Sequence, residues 1–126
     1  MFHKNTEKLE SLIGGNTSFK GHIDSKGTLR VDGSVDGNIN ADWVVIGDKA
    51  SIRGDITARG IVIGGRVDGN LRAKEIVEIR SKGQVFGEIA TSKLTVAEGA
   101  VFDGKSSMRK EESNVVELAA REKAKL

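Results

Sequence analysis

A triplet of apolar, variable and apolar residues recurs along the chain as Leu29-Arg30-Val31, Val44-Val45-Ile46, Ile61-Val62-Ile63, Val77-Glu78-Ile79 and Leu94-Thr95-Val96. The copies are about 15 to 17 residues apart, a fixed period of the kind that marks a repeat architecture. Each of the first four is followed by a second unit, apolar-x-Gly-x-apolar, beginning at Val35, Ile52, Val67 and Val85. The same unit opens the series at Phe19 and closes it, truncated, at Phe102. Its glycines form the series Gly21, Gly37, Gly54, Gly69, Gly87 and Gly104. With a weaker first copy at Leu12 and Ile13, about six repeats cover residues 12–104 without a long insertion.

Alternation with period two predicts strands, and a repeat of about 17 residues is too short for a helix and its return. Each repeat is therefore expected to be one winding of an all-β parallel solenoid. Leu29, Val31, Val35 and Ile39 point inward in that register. So do Val44, Ile46, Ile52 and Ile56, then Ile61, Ile63, Val67 and Leu71, then Val77, Ile79, Val85 and Ile89. At about 1.5 to 3 kcal/mol per buried side chain, four such residues offset much of the ordering cost of a winding, provided neighbours seal it on both sides. Small residues at Ala41, Ala58, Ala73 and Thr91 suit a tight corner. The glycine series is expected where a side chain would strike another wall or where the strand bends.

Stacked windings lie about 4.8 Å apart, so equivalent outward residues form columns whose chemistry must be compatible. The position before the glycine reads Lys20, Asp36, Arg53, Asp68, Phe86 and Asp103, and its first four members alternate in charge. Such a ladder would favour one register. On another face, Trp43, Val45, Val62 and Ile76 are expected to point outward from the middle windings. Two readings of them stand: ordinary scattered surface hydrophobes, or a lateral patch for another polymer or a partner.

Composition narrows the class. The 126 residues suit one domain, and 37% hydrophobic residues exclude a disordered chain. Sixteen glycines accompany no proline, as expected where every inner strand must donate its N–H groups to a ladder. Without cysteine, neither a disulfide framework nor a thiolate metal site can form. The start MFHKNTEKLES has no apolar signal stretch, and no run of about 18 apolar residues occurs, so a cytoplasmic location is expected. The net charge of +2 is small and only 4% of residues are aromatic, unlike a nucleic-acid reader.

Candidate chemistry fails on inspection. Gly99 to Ser106, GAVFDGKS, matches the phosphate-cradling string G-x-x-x-x-G-K-S. Gly104 is also the last of the glycine series and Phe102 fills the preceding apolar position, so the repeat explains the match without nucleotide. Hexapeptide-repeat acyltransferases and related zinc enzymes wind similar repeats, and a β-helix enzyme or small-ligand binder is the alternative function. Such enzymes supply histidines from the windings, whereas this chain has only His3 and His22. Gly64-Gly65 with Asp68 occurs once, whereas calcium-binding nonapeptide sites need stacked copies. No catalytic residue, cofactor or metal ligand is assigned.

An uncapped solenoid exposes a strand edge at each end, and no capping helix is expected after Ile13 or before Gly104. Phe19 and Phe102 take the inward position where middle windings use Val or Ile. The end windings, with Leu12, Ile13, Phe19, Ile23, Leu94, Val96, Val101 and Phe102, are the expected polymer interface.

The V-D-G-N-I/L and V-V-I-G strings, the V-F-G-E-I winding and the closing G-A-V-F-D-G resemble the bactofilins, polymer-forming bacterial cytoskeletal proteins, over about residues 12–104. The resemblance implies a right-handed, three-sided β-helix with short flexible tails. It also implies filaments that form without nucleotide, like end meeting like end, so that the polymer lacks polarity. It further implies a role in cell shape or in positioning cell-wall enzymes or their membrane anchors. Met1, Phe2 and Lys4 match the membrane-attachment pattern of similar proteins, and the resemblance thereby implies contact of the tail, residues 1–11, with membrane lipid on the inner face of the cytoplasmic membrane. Residues 105–126 are expected to be a charged tail with a short helix around Val115 to Ala120.

Overall fold

The structure, a computed structural model, describes residues 9–108. The expected alternation appears as fourteen strands, all paired in parallel, with no helix among the described residues. They wind into six turns of a three-sided solenoid. The first side stacks β1 (Leu9–Ile13), β4 (Thr28–Val31), β7 (Trp43–Ile46), the second half of β9 (Ile56–Ile63), the second half of β11 (Leu71–Ile79) and β13 (Lys93–Val96). The second side stacks β2 (Ser18–Lys20), β5 (Ser34–Asp36), β8 (Ser51–Arg53), β10 (Arg66–Asp68) and the first halves of β12 (Gln84–Thr91) and β14 (Val101–Met108). On the third side, β3 (Ile23–Asp24) and β6 (Ile39–Asn40) precede the remaining halves of the long strands. Strand β14 includes Lys105 to Met108, which pair with Glu88 to Thr91.

All sixteen residues assigned inward from the alternation are at most 2% exposed. They fill one continuous core, as close-packed interiors require. The third corner stacks Ala41, Ala58, Ala73 and Thr91 as expected, and the Thr91 hydroxyl, buried there, donates to the Lys93 carbonyl at 3.3 Å.

The glycine series sits at the corner between the second and third sides, and the reason is backbone geometry. Gly54 and Gly69 have φ of 147° and 153°, a region that L side chains rarely adopt. A Cβ on either would overlap the carbonyl oxygen of the glycine stacked below it, Gly37 or Gly54. The obstruction is thus the neighbouring winding rather than an opposite wall.

Beside this corner runs a hydrogen-bond ladder that the alternation did not reveal. Asn38 Oδ1 accepts from the Asp55 N–H at 3.1 Å, Asp55 Oδ1 from the Asn70 N–H at 3.0 Å, and Asn70 Oδ1 from the Glu88 N–H at 3.1 Å. Each side chain satisfies a backbone donor in the next winding, at a bend where the strand ladder is interrupted. Asn70→Ala leaves the Glu88 N–H to water at this exposed edge. It should lower stability by about 0.5 to 1.5 kcal/mol, read as a shift of the denaturant midpoint at constant slope.

Candidate assembly surfaces

The register assigns each end residue a direction. In the first winding Ser11, Ile13, Phe19 and Ile23 stand over the inward residues Leu29, Val31, Val35 and Ile39. In the last, Leu94, Val96, Phe102 and Ser106 stand over Val77, Ile79, Val85 and Ile89. Both ends therefore show the core in cross-section: three apolar side chains, one of them Phe, and a single Ser. Val96 is 45% exposed, and Ile13, Phe19, Ile23, Leu94 and Phe102 are half-buried against the core, because no winding among the described residues covers them. Two expected members of this surface point elsewhere. Leu12 pairs with Arg30 and projects from the first side, 58% exposed, while Val101 pairs with Gln84 and projects from the second. The first copy of the repeat is thus Ser11-Leu12-Ile13, with its inward position taken by a polar residue that apolar counting passes over.

Among the described residues, the end strands have no partner on their outer edges. β1, β2 and β3 each have one partner, in the second winding, and β13 and β14 have theirs, β11 and β12, in the fifth. An open edge over an open core is a template for another chain.

The lateral residues gather on the first side. Trp43 covers Gly60, where even a methyl group would strike the indole, and the Arg59 guanidinium lies 5.3 Å from the ring centroid. Val45 and Val62 are stacked neighbours, and Ile76 lies one winding beyond Gly60. Val62 is more enclosed than expected, only 9% exposed, while Trp43, Val45 and Ile76 are half-buried.

Charges border this strip. Arg59 bridges three windings, pairing with Asp42 at 3.0 Å and Glu75 at 3.3 Å. The pair with Arg59 pulls the Asp42 carboxyl below the usual carboxylate range. Its contribution is therefore present above that range and fades as the group is protonated at lower pH. Arg30 pairs with Asp32 at 3.0 Å and Arg80 with Glu78 at 3.6 Å, each within one winding. The alternating column on the second side is in the expected register, Lys20 against Asp36, Asp36 against Arg53 and Arg53 against Asp68. It does not form the expected ladder of ion pairs. Asp68 instead pairs with Arg66 on its own strand at 3.1 Å, and Arg66 stacks on Phe86 at 4.5 Å.

Gly99 to Ser106 does not form a phosphate-cradling loop at the mouth of a helix. From Val101 the segment is strand β14, registered residue by residue against β12. His22 is exposed, and no group of three or more His, Cys, Asp or Glu is placed to hold a metal ion among the described residues. No helix among them is long and apolar enough to cross a membrane. The attachment residues Met1, Phe2 and Lys4 and the helix around Val115 to Ala120 lie outside the described residues.

Among the described residues, a regular three-sided stack with open ends defines a parallel β-solenoid. The family described as "Bactofilin: Polymer-forming cytoskeletal" matches residues 11–107. The chain belongs to the bactofilin family. It is 28% identical over 106 residues to bactofilin BacO of Myxococcus xanthus (strain DK1622), covering 83% of this chain and 84% of that one. It is 24% identical over 99 residues to BacP of the same organism, covering 78% of this chain and 41% of BacP, so it spans less than half of that relative. The fold matches the Thermus thermophilus bactofilin reconstructed by cryo-EM in double helical filaments, with a TM-score of 0.73 and 27% identity over 79% of this chain and all of that one.

Proposed function

We propose that this bactofilin is the subunit of a cytoskeletal filament that grows end to end, the terminal winding of one copy stacking on that of the next without nucleotide. The observation that carries this is the pair of ends left open among the described residues, each presenting Phe and two aliphatic side chains in the cross-section of the core beneath strand edges that no described strand pairs. Docking continues both the strand ladder and the core, and no chemical step is required. The double helical filaments of the Thermus thermophilus relative support it.

Family resemblance adds like-to-like contact of ends and a place at the inner face of the cytoplasmic membrane. There a filament would shape the cell or position wall-modifying proteins. Met1, Phe2 and Lys4 suit that attachment, since one Phe and a cation bind lipid feebly but many copies on one polymer bind with avidity.

Pelleting and negative-stain microscopy of the purified full chain test the proposal. Filaments should form equally with and without added ATP or GTP. A discrete trimer at all concentrations, the assembly of a hexapeptide-type enzyme, would overturn it.

A further inference from the structure

The corner where the third side meets the first is cut by a groove of about 490 Å³. Counting windings from the N-terminus, it runs along the stack from Asn40 of the second to Ser107 of the last. Its floor is the column of small residues Ala41, Ala58, Ala73 and Thr91. Arg72 stands on the third-side wall and Lys74 on the first-side wall, one before and one after Ala73. Arg59, also on the first-side wall, is held by Asp42 and Glu75. Arg72 and Lys74 are exposed, and neither is ion-paired among the described residues. The groove thus offers two uncommitted cations on opposite walls at the level of Ala73.

The described chain ends at this groove. Met108, one place beyond Ser107, pairs with Thr91, and residues 109–126 continue from there. From Met108 the level of Ala73 is two windings back, about 10 Å. Glu111 and Glu112, three and four residues on, reach about 10 to 14 Å along an extended chain. Successive side chains of an extended chain turn to opposite sides, so one carboxylate of this adjacent pair meets Arg72 as the other meets Lys74. Arg109 and Lys110 come one winding earlier, at the level of the uncharged Ala90 and Thr91.

We propose that the groove is the docking site of this chain's own acidic segment: residues 109–114 turn back at Met108 and run along the stack, with Glu111 and Glu112 on Arg72 and Lys74. So held, the segment lies on the flank, clear of the end face that carries Phe102. The contact is made within one copy and stands apart from the filament reading. Exposed ion pairs are weak singly, but a segment tethered at the mouth of its site has a high effective concentration there.

The chain has no cysteine, so an introduced pair can be joined selectively by a short bismaleimide. Thr57 and Thr95 are both exposed and lie at similar distances from Met108. Thr57 is three windings down the groove, about 14 Å, and Thr95 is four residues across the first side, about 13 Å. In the full chain, Thr57→Cys with Ser113→Cys should join within one copy about tenfold faster than Thr95→Cys with Ser113→Cys, the preference that two exposed ion pairs can supply. Arg72→Glu with Lys74→Glu should remove the preference, and adding Glu111→Lys with Glu112→Lys should restore it. Circular dichroism should be unchanged throughout. Equal rates at the two positions with the native charges would overturn the docking site. So would a preference that survives the first exchange or that the second does not restore. Crosslinks that join two copies instead of one would place the segment in a neighbour's groove and overturn the assignment to its own chain.

Discussion

Gly69→Val should abolish folding. The substitution forces a β-branched residue to φ of 153° and drives its Cβ into the Gly54 carbonyl oxygen, which belongs to backbone and has no room to retreat. Relief would require Gly54 to move, and Gly54 is itself stacked on Gly37 in the same conformation. Strain at one corner therefore spreads to neighbouring windings, and windings that separate lose the contacts that bury Val67 and Leu71. A loss above about 4 kcal/mol is expected, comparable with the whole stability of a small domain. The far-UV dichroism of strands should disappear and the chain should enter the insoluble fraction. Gly15→Ala provides the contrast. A Cβ there meets nothing closer than the Asp32 carbonyl oxygen at 3.8 Å, and stability should stay within about 0.5 kcal/mol of wild type. A folded Gly69→Val protein would mean that the corner does not depend on glycine.

Phe102→Arg should stop filament growth while the windings remain folded. Phe102 caps the column above Val85, Val67 and Ile52, and no strand among the described residues lies beyond it. In a free subunit, arginine at that place can lay its stem on the core edge and extend its guanidinium into water. In a docked end it would be buried against apolar side chains with no partner, at a cost of several kcal/mol. The size of the remaining species then reports which ends meet. If like ends meet, blocking the last winding leaves the contact between first windings intact and yields discrete dimers. Phe19→Arg should also yield dimers, through the other end, and the two changes together should yield monomers. If unlike ends meet, each single change removes every contact and yields monomers. Sedimentation velocity distinguishes the cases. Filaments of normal length from Phe102→Arg would show that the ends are not the contact.

Most of the fold was legible because a solenoid writes its register into the sequence once per winding. The alternation assigned all sixteen large residues of the core cluster, since a one-residue slip would have turned Val44 and Ile46 to water and Val45 to the core. It failed at the first winding because Ser11 holds an inward position, so the pattern slid by one residue onto Leu12. Ser106 hid the final half-turn in the same way, and with it the strand through Met108. The Asn38, Asp55 and Asn70 ladder was present as the residue after each glycine, in strings such as V-D-G-N. Alternation cannot report it, because these side chains turn along the stack toward backbone instead of inward or outward. Ion pairs were the least legible feature. Column order shows which charges are near one another, but Asp68 had two basic neighbours and took the one on its own strand.

Stacking continued across the subunit junction is the central claim, and a reconstruction of the polymer at a resolution that separates strands tests it most directly. The account predicts that the spacing of about 4.8 Å between windings persists through the junction. It also predicts that Phe19 and Phe102 are fully buried there and that the core runs on without a gap. A junction with a break in the strand ladder, or subunits joined only through their sides with both phenylalanines left in water, would contradict it.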